Sequence, residues 1–320
     1  MNIVCATDDN FVQHCSIMLV SLLVNNTDVN IYVLTEGLKH ENQRIITKEV
    51  ERYYGKIHFC LVDSGIVEKF PMPKTDGLKH ISRATYYRLL ISDLLPNDVH
   101  KVIYLDCDII VNGSLQPLWN IDITNYAIAA SKQIGSGYEA LRLGYPIKYG
   151  YFNAGVSIIN LDYFRDYNIN RELIQYINDN YSKIIYHDQD TLNAVLYDKC
   201  LHIMPQWNMT SIVYSYGLNN RGDRQAGKIV CDYYKEKENA KIYKKAPIVL
   251  HYVSHPKPWQ KGCTHPLYRL YYEYAKQTIH YRNIIPQSYI SRLIPILKFR
   301  LREVLSSVKQ SIYRTDKSRL

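Results

Sequence analysis

KVIYLDCDIIVN, Lys101 to Asn112, is the stretch on which the fold turns. Val102, Ile103, Tyr104 and Leu105 form a short apolar run rich in β-branched and aromatic residues. That is the pattern of a strand buried on both faces. Asp106 and Asp108 follow where the run should leave the sheet, with Cys107 between them. In extended backbone, residues two apart share a side. The two carboxylates can therefore face one ion while Cys107 faces the other way. Unpaired carboxylates at the edge of a core are costly, so a positive partner is expected. A lone DxD is also an ordinary solvated turn, since Asp is common where strands end. The flanking sequence has to decide between these readings.

Upstream, Asn2 to Ala6 (NIVCA) reads as a strand ending in the polar cluster Thr7-Asp8-Asp9-Asn10. Phe11 to Leu23 has helical spacing, Ile31 to Leu34 reads as a strand and His40 to Tyr54 as a helix capped by Gly55. Ile57 to Val62 is a third strand. This alternation predicts an α/β fold with an open, mostly parallel sheet and right-handed crossovers. Ligands of such sheets sit outside the carboxyl ends of the strands. Asp8/Asp9 and Asp106/Asp108 are both placed there. No GxGxxG follows the first strand and no GxxxxGK[ST] occurs, which disfavours a dinucleotide site or a P-loop. A bound nucleotide would then need another positive partner for its diphosphate, and a metal held by the DxD would serve.

Downstream, His80 to Ile91 reads as a helix carrying Arg83 and Arg88. Leu115 to Trp119 is a short helix and Tyr126 to Ala130 a strand. The Gly-, Tyr- and Pro-rich stretch Gln133 to Tyr151 is long and irregular, as binding loops are. Asn153-Ala154-Gly155 opens a strand through Asn160, and its small residues let another group approach the backbone closely. A helix spans Leu161 to Tyr181. His187-Asp188-Gln189-Asp190 leads into a helix at Thr191 to Leu196, where acids are also ordinary capping residues. Ile248 to Leu250 is the last strand. It runs into HYVSHPKPW, His251 to Trp259, with Lys257 between two prolines. Pro266 to Lys276 closes the globular part as a helix.

The chain has 320 residues, 47% hydrophobic, and a formal net charge of +9. Its seven cysteines are scattered without a CxxC pair, so a reducing compartment is expected rather than a disulfide framework or structural zinc. The N-terminus has neither a basic n-region nor a long apolar h-region, so no signal peptide is expected. From Arg282 onward, Arg292, Lys298, Arg300, Arg302, Lys309, Arg314, Lys317 and Arg319 face only Glu303 and Asp316. Apolar residues alternate with these bases, as in an amphipathic segment on an anionic membrane. The expected organisation is one globular domain over residues 1–280 and a basic amphipathic helical tail over 281–320. The tail is assigned a membrane rather than a nucleic acid as its partner.

Taken together, ATDDN, LDCDIIV, the NAGV strand, HDQD and HYVSHPKPW resemble glycosyltransferase family 8. The likeness is greatest to the bacterial lipopolysaccharide and lipooligosaccharide galactosyl- and glucosyltransferases. It runs from about Met1 to Tyr268, with the five blocks in the family's order. It implies a GT-A fold: one nucleotide-binding domain with the acceptor site built onto it. It also implies that Asp106, Asp108 and His251 ligate a divalent ion, Mn²⁺ or alternatively Mg²⁺. Ala6, Asp8 and Asn10 would line the uridine pocket, with Asp8 on the uracil edge. Arg88 and Lys257 would meet the sugar or the diphosphate, and Cys107 and Ala154 would also line the nucleotide-sugar site. Asn153, Asp188 and Gln189 would hold the donor sugar. Arg83, His187 and the Gln133 to Tyr151 stretch are where this chain differs from relatives.

The implied function is retaining transfer of galactose or glucose from a UDP-sugar to a saccharide, such as lipopolysaccharide core or another lipid-linked glycan. The implied place is the inner face of the cytoplasmic membrane. Among candidate catalytic residues Asp188, Gln189 and Asp190, the Gln189 amide is a poor nucleophile and the Asp190 carboxylate a better one chemically. Front-face attack, with the leaving diphosphate taking the acceptor's proton, is the favoured route. Two alternatives remain at this point. A haloacid dehalogenase-like phosphohydrolase also opens on DxD, but needs Thr or Val where Ile110 stands. A non-catalytic saccharide-binding protein would not require Asp106, Asp108 and His251 together.

Overall fold

The computed structural model describes residues 1–70, 83–133, 137–211, 247–253 and 255–284. A seven-stranded sheet has the order β3-β2-β1-β4-β7-β6-β8. Its strands are β1 (Asn2–Ala6), β2 (Asn30–Thr35), β3 (Lys56–Leu61), β4 (Lys101–Leu105), β6 (Ile128–Lys132), β7 (Phe152–Asn160) and β8 (Cys200–Ile203). β7 alone runs antiparallel to its two neighbours, β4 and β6, and every other pair is parallel. A three-stranded sheet joins β5 (Ile109–Val111), β10 (Val249–His251) and β9 (Met209–Thr210), with β10 in the middle.

The central strands behave as their sequences demand. In β4, Val102 and Tyr104 enter one hydrophobic core, and Ile103 and Leu105 enter the core on the opposite face. β1 divides likewise, with Val4 on one side and Ile3 and Cys5 on the other. A period of two with both faces covered leaves no polar position in the run. The second core is covered by α1 (Val12–Asn25) and α2 (His40–Glu51). The first is covered by a 3-10 helix, Arg83–Leu90, with α4 (Leu161–Asp166), α5 (Ile169–Asn180) and α6 (His187–Leu196).

Some expectations are corrected. The segment around Arg88 is a 3-10 helix passing into one α-turn, not a continuous α-helix; His80 to Ser82 lie outside the described residues. The expected single helix Leu161 to Tyr181 is two, because Asn168 adopts a left-handed φ of 52° between them. Gln133 to Tyr151 contains α3 (Gly137–Leu143) and a 3-10 turn at Ile147–Tyr149. Gly55 is not a left-handed cap; Tyr54 takes the positive φ, 59°. Glycine is required at 55 for room, since a Cβ there would lie 2.8 Å from Val50 Cγ1 and 3.0 Å from Leu23 Cδ2.

The chain passes from the large sheet to the small one at Asp106-Cys107-Asp108. The Asp106 N–H donates to Gly155 O at 2.9 Å, continuing the β4–β7 ladder. The backbone then turns, and β5 pairs with β10 so that Ile109 stands opposite His251. The Tyr252 N–H donates to Asp108 O at 3.0 Å. α7 (Tyr268–Ala275) packs on α1, with Tyr271 OH 2.8 Å from His14 Nδ1. Among the described residues no helix is long and apolar enough to cross a membrane. The expected basic tail lies outside the described residues from position 285 onward.

Candidate active site

A cavity of ≈ 530 Å³ opens at the rim where β1 and β4 end and β7 begins. Ala6 and Asp8 line it from the end of β1, and Asp106, Cys107 and Asp108 from the end of β4. Asn153 and Ala154 line it from the start of β7, and Asp188 and Gln189 from the start of α6. Arg88, His251 and Lys257 complete the set. Two of the expected residues stand outside this lining. Asn10 is exposed, and its backbone N–H serves Asp8 Oδ1 at 2.9 Å. Asp190 is fully buried beneath the site.

Asp106, Asp108 and His251 each direct one ligand atom to a common point, all within 4.8 Å of one another. His251 Nε2 lies 3.1 Å from Asp108 Oδ1 and 3.8 Å from Asp106 Oδ2. The two carboxylates converge as expected, but through a turn rather than extended backbone. Cys107 does face away: its thiol donates to Ala6 O at 3.2 Å. Burial would raise the Asp108 carboxyl, but Lys257, with the His251 imidazole beside it, holds it well below the usual carboxylate range. Lys257 Nζ donates to Asp108 Oδ2 at 2.6 Å and to Tyr252 O.

The donor set fits a divalent cation. Two carboxylate oxygens and one imidazole nitrogen suit Mn²⁺ or Mg²⁺, and the choice between them is not made by ligand type. Asp108 Oδ1 is buried, with His251 Nε2 as its polar neighbour at 3.1 Å. Gly155 supplies the room: a Cβ there would lie 2.2 Å from His251 Cε1 and 2.6 Å from Asp106 Oδ2. The small residue noted in the sequence is thus the floor under the ligands.

Arg88 is the electrostatic hub of the opposite wall. It is 5% exposed, pairs with Asp106, and reaches Asp188 Oδ2 through Nε at 2.8 Å. It also donates to Ala154 O at 2.8 Å, and its guanidinium carbon lies 4.1 Å from the Tyr104 ring centroid. In this structure its charge is directed to carboxylates rather than outward. Thr85 Oγ1 donates to the other Asp188 oxygen. Burial still pushes the Asp188 carboxyl up to about 6, with Arg88 and Thr85 opposing it. Arg83, by contrast, is an exposed residue outside the lining.

The turn into α6 aims Asp188 and Gln189 at the cavity. His187 there adopts a left-handed φ of 49°, with Nδ1 3.2 Å from Tyr86 OH. Such backbone costs of order 1 kcal/mol in a non-glycine residue and needs support from its surroundings. Gln189 Oε1 accepts from Asn153 Nδ2 at 2.9 Å and from the Ala154 N–H at 3.1 Å. Gln189 Nε2 donates to Gln133 Oε1 and to Tyr151 OH, each at 3.0 Å. Asp190 is engaged by Arg142, by Tyr151 OH at 2.8 Å, and by the N–H groups of Ile185 and Tyr186 at 2.7 and 2.8 Å. Its role combines the capping considered from sequence with a buried ion pair to α3.

Thr85, Asn208 and Tyr151 were not singled out from the sequence. Asn208 sits in PQWNMT, between a 3-10 turn at Pro205–Trp207 and β9. Folding brings its Oδ1 to 2.9 Å from His251 Nδ1. No local spacing signals that contact, since His251 ends β10 and Asn208 immediately precedes β9, far apart along the chain.

Comparisons with known proteins bear on the fold and the family. The model of "Glycosyl transferase family 8" matches residues 2–263. General stress protein A of Bacillus subtilis is 31% identical over 284 residues, covering 87% of this chain and 94% of that protein. The lipopolysaccharide 1,3-galactosyltransferase of Salmonella typhimurium is 27% identical, covering 94% of this chain and 83% of that one. Among solved structures, the galactosyltransferase LgtC, in complex with donor and acceptor sugar analogues, superposes with a TM-score of 0.73. That likeness covers 91% of this chain and 100% of LgtC at 24% identity, and it shows the GT-A fold. With a family model spanning most of its length, the chain belongs to glycosyl transferase family 8.

Proposed function

We propose that this glycosyltransferase moves galactose or glucose from a UDP-sugar to a saccharide acceptor, retaining the anomeric configuration. One observation carries the reading: the Asp106–Asp108–His251 cluster and the Asp188–Gln189 pair face one cavity that Asp8 also lines. The first group suits a cation-bound diphosphate, the second the hydroxyls of a hexose. A divalent ion held by Asp106, Asp108 and His251 would supply Lewis-acid stabilisation of the diphosphate's developing charge.

The chain's own residues do the rest. Lys257, on Asp108 at the cavity wall, adds positive charge on the diphosphate side. Asp188, oriented by Arg88 and Thr85, accepts from a sugar hydroxyl. Gln189 is pinned at both ends of its amide and holds the sugar by shape and contact. Asp190 has donors on both oxygens and no exposure, which argues against its attack on the anomeric carbon. Gln189 is a neutral amide. These constraints support front-face attack, the leaving diphosphate taking the acceptor's proton. The Salmonella relative's lipopolysaccharide activity supports a lipopolysaccharide or other lipid-linked acceptor. A peripheral position on the inner face of the cytoplasmic membrane, through the basic tail, belongs to the same proposal.

The test is turnover of UDP-galactose and UDP-glucose with added Mn²⁺ and with EDTA. Release of UDP from at least one donor is expected with Mn²⁺ and its loss with EDTA. Cleavage of a phosphomonoester with both UDP-sugars untouched would overturn the proposal. Such cleavage is what the phosphohydrolase alternative requires, and membership of family 8 already weighs against that alternative.

A further inference from the structure

We infer that Asn208 is a positioning residue that keeps the proton of His251 on Nδ1, so that Nε2 presents a lone pair to the cation. The inference rests on the metal reading above and deepens it. Its starting point is a donor whose identity is fixed by covalent structure. The Gly155 backbone N–H donates at 3.1 Å to the side chain of Asn153, so the Asn153 atom facing it is Oδ1. That same oxygen lies 2.8 Å from the Asn208 side chain, which must present its Nδ2 there. Asn208 therefore turns Oδ1, an acceptor only, to His251 Nδ1 at 2.9 Å. An acceptor-only partner requires a proton on Nδ1.

The consequence falls at the other ring nitrogen. His251 Nε2 faces Asp108 Oδ1 and Asp106 Oδ2. With Nδ1 protonated, Nε2 is the atom that ligates a metal. Metal-bound histidines generally donate their second N–H to an oriented acceptor, and losing that partner typically costs 10–100-fold in metal affinity or activity. Here the acceptor is a carboxamide, and its direction is set two residues away by the backbone. All three side chains are sequestered: His251 and Asn208 are each 3% exposed and Asn153 is 8% exposed. Water therefore offers no ready substitute.

The polarity continues the other way along β7. The Ala154 N–H fixes Gln189 Oε1, and Asn153 Nδ2 donates to that same oxygen. Two successive backbone groups of one strand thus fix the cation-facing imidazole and the sugar-facing amide. Asn153 is the shared element: its oxygen serves the metal side and its nitrogen the sugar side.

The experiment uses full-length protein and titrates Mn²⁺, with the free ion followed by electron paramagnetic resonance. Asn208→Leu keeps the volume and removes the acceptor. It is expected to weaken Mn²⁺ binding by roughly 10–100-fold, with transfer returning as Mn²⁺ is raised. Asn208→Asp restores an acceptor for the Nδ1 proton but not the donor to Asn153. It is expected to lower the melting temperature yet bind Mn²⁺ much more tightly than the leucine variant. If the leucine variant does not fold, Asn208→Ala takes its place. Wild-type Mn²⁺ affinity in the leucine or alanine variant would overturn the inference, as would equal weakening in the aspartate variant. Failure of the wild type itself to bind Mn²⁺ would instead overturn the metal reading.

Discussion

Gly155→Ala is expected to abolish Mn²⁺ binding and to cut transfer by roughly 10²-fold or more, because misplacing a reacting group by about 1 Å costs that much. The added methyl would sit 2.2 Å from His251 Cε1, 2.6 Å from Asp106 Oδ2 and 2.9 Å from His251 Nδ1. Two of the three proposed ligands must move at once. The backbone itself has no objection, since Gly155 is not among the glycines with positive φ. The damage is steric and local, and overpacking of this kind costs about 1–3 kcal/mol of stability. A cooperative thermal melt together with lost Mn²⁺ binding is the expected pair of results. Normal Mn²⁺ binding would show that His251 and Asp106 do not need the space the glycine leaves.

Arg88→Met should have the second large effect, on stability as well as activity. The guanidinium lies between Asp106 and Asp188, over the Tyr104 ring, and is nearly inaccessible. Breaking a buried pair by deleting one partner costs about 3–5 kcal/mol, because the remaining charge is left uncompensated. The loss carries a pH signature through Asp188. Its folded pKa, about 6, already lies above the usual carboxylate value. For such a group the folded state binds more protons than the unfolded chain, and stability falls as pH rises through the interval between the two values. Without Arg88 the folded value rises further, and the decline extends to higher pH. The gap between wild type and variant should therefore widen above pH about 6 and narrow toward pH about 4. Urea denaturation of the metal-free proteins across that range is the check. A gap independent of pH would mean that Asp188 is not what Arg88 compensates.

How much of this could be read from the chain depended on whether the governing contacts were local. β4 was legible because burial on both faces leaves a continuous apolar run, and Val102 to Leu105 alternate between two cores accordingly. The convergence of Asp106 and Asp108 was legible too, although the backbone achieves it by turning. The turn is where the chain leaves one sheet for the other, and sheet membership is a non-local property. Asn168 broke an expected helix because a single left-handed residue leaves little trace in apolar spacing. Asp190 shows the limit most clearly. As a residue type it was a candidate nucleophile, but Arg142 and Tyr151 reach it from the stretch read as an irregular loop. The pairing of Asn208 with His251 likewise depends on β9 and β10 lying side by side. What the five sequence blocks did convey was the rim of the cavity, since each block lies at an end of a strand or helix facing it.

On the proposed function, Asp106, Asp108 and His251 hold a divalent cation that in turn grips a nucleotide diphosphate. A Mn²⁺ titration by electron paramagnetic resonance, with and without UDP, of wild type and Asp108→Asn tests this. The wild type should bind one Mn²⁺ per chain, more tightly when UDP is present. The variant should lose both the binding and the effect of UDP while retaining a cooperative melt. Equal Mn²⁺ affinity in the two proteins, or no response of the wild type to UDP, would rule out a cation at these three residues that binds the diphosphate.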